Sequence, residues 1–441
     1  MKPTRVRYLV LGLISLGTVI NYLDRSVLGI AAPFFGRELG IGTGAMGLVF
    51  SAFSWSYAAA QIPGGMLLDR FGSRAVYGCA VALWSLITML QGAASGLVSL
   101  LGLRLGLGAA EAPSYPTNSR VVRTWFPQRE RARANSAYAV GQYFGLAFLS
   151  PVLFWIAREL GWRALFMIAG AMGIAFAALW AAHYRDPRCN PRINQAELDY
   201  IEAGYIEAGY VEAGAAPGHA VAPAPFSWQA AARLLSKRQI LGASIGQFAS
   251  NSTLVFFLTW FPTYLTTERH LQIQTAGFFT VLPYAAASAG VLLGGWLSDW
   301  LVARMRSPSL GRKLPIIAGL LMAVSMMAAN AVHSNAAVLA IMSFAFFGQG
   351  MCNLGWTVIT DVAPQRYLGL TAGVFNLCAN LAGIVTPLVI GAIVAATGTF
   401  YGALVYVSLV ALAGVAAYAF VLGEVCPVEL DMPGLQAETA A

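Results

Sequence analysis

Residues 9–32 read LVLGLISLGTVINYLDRSVLGIAA, with Asp24 and Arg25 as the only charges. At 1.5 Å per residue such a run extends about 36 Å as a helix, enough to cross a hydrocarbon core of about 30 Å. A surface helix of a soluble protein would show one apolar stripe; this stretch is apolar on every face and belongs in lipid. A charge at mid-bilayer costs roughly 2.5–3.5 kcal/mol on insertion scales, so an Asp-Arg pair there marks a functional site.

The rest of the chain agrees. Of 441 residues 58% are apolar and 10% charged, with a mean hydropathy of +0.65. Soluble domains carry about 25% charged residues, so a water-soluble globular protein is excluded. The net charge of +8 is spread in short clusters between apolar runs, which argues against a nucleic-acid partner. Five cysteines without a C-x-x-C pair give neither a disulfide framework nor a metal site, and the four histidines are scattered.

Twelve apolar runs are each long enough to span: 9–32, 46–68, 75–94, 97–119, 134–157, 163–183, 239–265, 273–298, 314–333, 336–360, 369–395 and 400–422. The first is too long for a signal h-region and has no clear cleavage site, so it reads as a retained span. The expected fold is an all-α membrane protein with twelve transmembrane helices in two six-helix bundles. The bundles cover 1–183 and 236–424, with a cytoplasmic linker at 184–235 and a cytoplasmic tail at 425–441. Twenty-one Lys and Arg residues fall on one side of this topology and four (Arg37, Arg158, Arg163, Arg269) on the other, which places both termini in the cytoplasm.

Internal echoes support the division. Gly65-Met-Leu-Leu-Asp69 closes the second span, with Arg70 and Arg74 following; Gly295-Trp-Leu-Ser-Asp299 closes the eighth, with Arg304 and Arg306 following. Pro151 and Gly161 in spans five to six are echoed by Pro387 and Gly398 in spans eleven to twelve. Duplicated halves with a binding site between them are the plan of secondary transporters. The pentapeptide YIEAG at 200–204 and 205–209, then YVEAG at 210–214, has a period matching neither helix nor strand and reads as solvated linker. Trp162 and Trp228 read as interface anchors.

Arg104 and Glu111 join Asp24 and Arg25 inside the spans; seven residues apart, they project from one face of the fourth helix. These four could simply be buried salt bridges. A carboxylate beside an arginine in a dry cavity is also a proton switch: protonating the acid frees the guanidinium for an external anion, which it can grip with two hydrogen bonds. Anion and proton binding then assist one another, as symport requires. Tyr22, Tyr57, Gln142, Gln247, Asn251, Trp356 and Asn376 could complete a polar cavity for a hydroxylated anion. Asp69, Arg70 and Arg74, with Asp299 in the second half, could form clasps that hold one state closed. There is no Walker loop, and Gly242-Ala-Ser244-Ile-Gly246 lies in a continuous helix rather than at a nucleophile elbow, so neither ATP hydrolysis nor esterase chemistry is indicated.

Over residues 8 to 424 the sequence resembles the major facilitator superfamily, and within it the anion:cation symporter family of bacterial sugar-acid carriers. The resemblance is carried by Asn21-Tyr-Leu-Asp24-Arg25, Gln61-Ile-Pro-Gly-Gly65, Glu111-Ala-Pro-Ser-Tyr-Pro-Thr-Asn118, Thr124-Trp-Phe-Pro127, Phe257-Leu-Thr-Trp-Phe-Pro262, Gly355-Trp356 and Gly373-Val-Phe-Asn376. It implies alternating access, with Asp24 and Glu111 as protonation sites, Arg25 on the substrate carboxylate, and Arg104 coupling Glu111 to it. Tyr22, Tyr57, Gln142, Gln247, Trp356 and Asn376 match pocket positions, while Asn353 replaces a residue that relatives often keep small. Trp300 and the pentapeptide linker depart from the pattern. Gly355-Trp-Thr-Val-Ile-Thr-Asp361 and Arg312-Lys-Leu-Pro-Ile316 look most like glucarate and galactarate carriers, with galactonate and hexuronate carriers close behind and phthalate-like aromatic-acid carriers as an alternative. The expectation is a non-enzymatic, monomeric bacterial inner-membrane symporter. Its partners are a small organic anion and the lipid bilayer; it needs no cofactor, protons being the coupling ion. An uncoupled or exchange carrier is the other alternative.

Overall fold

The computed structural model describes residues 3–206, 228–305, 307–364 and 367–428, and they are almost entirely helical. Helix α1 is Val6–Glu38. A 49-residue helix, Thr43–Gln91, follows, but Gly72 inside it has φ 76° and ψ 167°, a conformation open essentially to glycine alone. It is therefore two helices, α2 (43–71) and α3 (73–91). The next crossing, α4 (97–125), is broken into Leu97–Glu111 and Ser114–Trp125. Pro113 at the break has no N–H, and its ring crowds the carbonyl four residues back.

The first half ends with α5 (Gln128–Glu159) and α6 (Gly161–His183). In the second half, α7 is Arg238–Thr259, α8 Ile273–Met305, α9 Pro308–Val324, α10 Asn335–Met351, α11 Leu368–Thr397 and α12 Tyr401–Ala416. Among the described residues, ten helices are long and apolar enough to span by themselves. Dividing one at Gly72 and joining the two pieces of α4 brings the crossings to the twelve read from the sequence.

The internal echoes acquire a physical meaning. Gly161 (φ 84°) and Gly398 (φ 71°) make the left-handed turns that end the fifth helix of each half. The fourth helix of each half is interrupted beside the site: α4 at Ala112-Pro113, and α10 by the 3-10 turn Cys352–Leu354, after which the chain resumes as Gly355–Val362.

Even numbers of crossings bring the segments near Val6, His183, Arg238 and Val428 to one end of the bundle, called here the terminal side. At the opposite, far side a single apolar core joins the halves, with Val27, Phe35 and Phe50 from the first half and Phe257, Trp260 and Phe400 from the second. Toward the terminal side the core divides in two. One part holds Val10, Trp84, Trp125 and Trp180; the other holds Ile240, Leu320, Val358 and Leu422.

The far-side seam is tight. A Cβ on Gly29 would overlap the Leu258 carbonyl oxygen, one on Gly47 would lie 2.7 Å from the Pro387 carbonyl oxygen, and Phe50 meets Trp260 edge-on at 5.1 Å. The halves thus share one core at the far side and keep separate cores at the terminal side, closed at the first and parted at the second.

The linker differs from its reading as solvated chain where it is described. The first pentapeptide copy lies in the helix Gln195–Ile206, with Ile201 buried. Buried Glu197 of that helix accepts hydrogen bonds from the Thr4 hydroxyl, the Val6 N–H and the Arg7 guanidinium, pinning the start of α1 to the linker. The second copy leaves the described residues after Ile206. The third copy, the remainder of the linker to 227, Arg306, Arg366 and residues 429–441 of the tail also lie outside them.

Candidate functional site

The sequence-predicted charges of α1 and α4 come together inside the first half. Arg25 Nε donates to Glu111 Oε2 at 3.0 Å, with the Arg25 side chain 16% exposed and that of Glu111 fully buried. Asn21, one helical turn before Arg25, donates from Nδ2 to the same oxygen at 2.9 Å. The Arg25 guanidinium is caged by aromatic faces, 4.7 Å from the Phe53 ring centroid, 4.9 Å from Tyr57 and 5.2 Å from Tyr22. Phe53 and Tyr57, four residues apart on α2, stack at 5.3 Å. The polar rim continues through Tyr22 and Tyr115, whose hydroxyls are 3.0 Å apart, to Gln142 Oε1, 3.1 Å from the Tyr115 hydroxyl.

Glu111 makes its hydrogen-bonded ion pair with Arg25, and Arg104 faces it by charge alone. Arg104 is buried with its guanidinium 4.9 Å from the Phe53 centroid, on the same ring that Arg25 contacts, and its Nε and Nη1 have no hydrogen-bond partner. The shared face of Arg104 and Glu111 on α4 is real, but α1 approaches that face at Glu111 and α2 at Arg104. Asp24 is equally buried, with the Trp84 indole facing its carboxyl group and no cation bonded to it among the described residues. Glu111 Oε1 and Arg25 Nη2 are likewise unsatisfied. Buried polar atoms without protein partners are uncommon, and their clustering here marks the place as a candidate site.

The predicted pocket residues of the second half carry no charge. Gln247 Oε1 lies against Gly355, at 2.6 Å from the position of a Cβ there. Trp356 is partly exposed and meets Phe375 edge-on at 5.0 Å. Asn353 lies in the turn that interrupts α10, half-buried. Asn376 and Asn251 are occupied within their own half: Asn376 accepts from Asn380 Nδ2, and Asn251 donates to the Ala379 carbonyl at 2.5 Å. Tyr143, a neighbour of both Tyr22 and Cys352, joins the two halves by donating to Gln349 Oε1 at 3.1 Å.

The clasps stay within each half. Asp69 pairs with Arg120 at 3.2 Å, and Arg74 donates to the Ala181 carbonyl at 2.9 Å. Arg70 lies over the neighbouring Phe71 ring at 5.2 Å, outside the clasp. Asp299 pairs with Arg312 at 2.8 Å, and Arg312 also reaches Asp361 at 3.3 Å. Trp300 leaves this clasp undisturbed, because it faces outward and stacks on Trp296. Trp162 corrects its reading as an interface anchor: it is buried, and its Nε1 donates to Glu38 at 2.6 Å.

Asn21, Phe53, Tyr115, Tyr143 and Gln349 belong to the site without having been singled out. Four of them carried a signal, standing one turn from, or next to, a chosen residue: Asn21 from Arg25, Phe53 from Tyr57, Tyr115 from Glu111, and Tyr143 beside Gln142.

Known proteins share this architecture and sequence. The chain is 45% identical over 427 residues to the D-galactonate transporter of Escherichia coli O6:H1 (strain CFT073), covering 96% of this chain and 97% of that one. It is 40% identical to the probable galactarate/D-glucarate transporter of Escherichia coli (strain K12), covering 97% and 96% of the two chains. With the hexuronate transporter of Bacillus subtilis (strain 168) the identity is 32%, over 88% of each chain. Among solved structures, the D-xylose-proton symporter superposes with a TM-score of 0.71 at 15% identity, over 95% of this chain and 97% of that one, which is a likeness of fold. The profile described as Major Facilitator Superfamily matches residues 14–387. A twelve-helix bundle in two halves, a buried charge cluster within the first of them and that match over most of the sequence together make this chain a member of the Major Facilitator Superfamily, a multi-pass membrane transporter and not an enzyme.

Proposed function

We propose that the protein imports a sugar acid together with protons across the bacterial inner membrane by alternating access, with the terminal side cytoplasmic. The observation that carries this reading is the buried Arg25–Glu111 pair inside an aromatic cage. In the parted, inward-facing arrangement the empty carrier neutralises its own cation with its own acid. When the far side opens, a proton on Glu111 takes over that neutralisation, and Arg25 is released to a substrate carboxylate. Tyr22, Tyr57, Gln142 and the Gln247, Asn353 and Trp356 wall then meet the hydroxyls, with Asn376 beside them. Substrate departure to the cytoplasm returns Arg25 to Glu111 as its proton leaves, and the neutral pair lets the empty carrier reset. Asp24 is a second protonation site, buried and without an ion-pair partner among the described residues.

Sugar acids are favoured as substrates by the names of the relatives. Among sugar acids, the pocket favours a single carboxylate. Arg25 is partly accessible, whereas Arg104 is 3% exposed and covered by Phe53, so one guanidinium is available for one carboxylate. This moves the aldonates ahead of the aldarates that the sequence motifs placed first. In proteoliposome uptake, D-galactonate is expected to compete at least about tenfold better than galactarate, the equivalent of 1.4 kcal/mol. Equal or better inhibition by galactarate would overturn the monocarboxylate assignment.

A further inference from the structure

We infer that the far side carries a separate receiving site for the substrate's carboxylate, built around Arg37, that holds the anion before the seam opens. The inference rests on the sugar-acid reading above. A basin of about 850 Å³ lies over the closed seam, lined by Pro33, Phe34 and Arg37 of α1, by Arg158 at the end of α5, and by Thr266 and Gln272 of the second half. A smaller cavity of about 140 Å³ lies on the other side of α1, bounded by Arg37, Thr43, Thr263, Met46 and the seam residue Trp260. Arg37 borders both, so it stands between the open basin and the space next to the closure.

The charges around it are otherwise satisfied. Glu38 is held by Trp162 and Arg163, Arg158 by the adjacent Glu159 at 3.3 Å, Glu268 by the Phe400 N–H, and Arg269 by Asn335 and the Val332 and His333 carbonyls. Arg37 has no ion-pair or hydrogen-bond partner among the described residues, leaving this end with one uncompensated positive charge. Arg37, the cation left unpaired in a basin where Arg158 and Glu38 are held in pairs of their own, suits a hydroxylated carboxylate beside the Thr266 hydroxyl and the Gln272 amide. Arg37 is twelve residues from Arg25 on the same helix, about 18 Å along its axis, so the two guanidiniums are successive stations on one route.

The test is sided transport kinetics of D-galactonate in phosphatidylcholine vesicles, where no anionic headgroup competes. Arg37→Gln is expected to raise KM for uptake about fivefold, and Arg37→Glu about twentyfold, at about 10 mM salt, with kcat retained. The difference should largely vanish at about 1 M salt, where the screening length falls to about 3 Å. Arg37→Lys, which keeps the charge, is expected to stay close to the parent, and KM for efflux from the terminal side should not move in any variant. An unchanged uptake KM in Arg37→Glu, a salt-independent change, or a fall in kcat alone would overturn the receiving site while leaving the function intact. A wild type that carries no sugar acid at all would overturn the function, and the receiving site with it.

Discussion

Arg25→Gln is expected to lower D-galactonate uptake by more than about 100-fold, because removing one member of a buried ion pair costs about 3–5 kcal/mol and each 1.4 kcal/mol is a factor of ten. The loss has two sources. The substrate carboxylate has no second accessible guanidinium, since Arg104 lies under Phe53 with 3% exposure. Glu111, left with Asn21 as its remaining hydrogen-bond partner, can no longer ionise in a neutral pair. Arg25→Lys restores the charge but not the planar fork that grips a carboxylate and packs over Phe53 and Tyr57, so partial recovery is expected, still about tenfold below wild type. The check is initial uptake rate in proteoliposomes, beside the elution profile of each purified variant to show that the bundle is intact. Wild-type uptake in Arg25→Gln would remove Arg25 from the substrate route.

Glu111→Gln separates coupling from passage. Glutamine keeps the shape and an oxygen for Asn21 and Arg25, but it is permanently neutral, as a protonated Glu111 would be. Substrate should still bind Arg25 and cross in exchange for substrate on the other side. The step that fails is the return of the empty carrier, which now has Arg25 unneutralised at the centre of the bundle. Accumulation driven by a proton gradient is therefore expected to fall at least about 100-fold, by the same cost of an unpaired buried charge, while counterflow of labelled D-galactonate stays close to wild type and loses its pH dependence. Unchanged accumulation would show that Glu111 does not couple.

The sequence could be read for the fold because each crossing is a local property. Hydropathy located all twelve segments, and the glycines and prolines at 72, 113, 161 and 398 account for where the helices turn or break. The four buried charges were equally visible, since a charged residue inside an apolar run stands out against its neighbours. Their pairing was not. The seven-residue spacing puts Arg104 and Glu111 on one face of α4, but which of them meets Arg25 depends on how α1 and α2 cross that face. The Tyr143–Gln349 bond spans 206 residues and joins different halves, beyond any periodicity. Trp162 illustrates the same limit: a tryptophan near a span end suits an interface, and only the fold brings Glu38 within reach of its indole.

The mutual support of proton and substrate at this one pair is measured most directly as proton uptake on binding. D-galactonate is added to purified protein in weakly buffered detergent solution with a pH indicator, beside Glu111→Gln as the control. Wild type is expected to take up protons as it binds, and Glu111→Gln to bind with clearly less uptake. Wild type that binds D-galactonate with no proton uptake would contradict the exchange of Arg25 between Glu111 and the substrate.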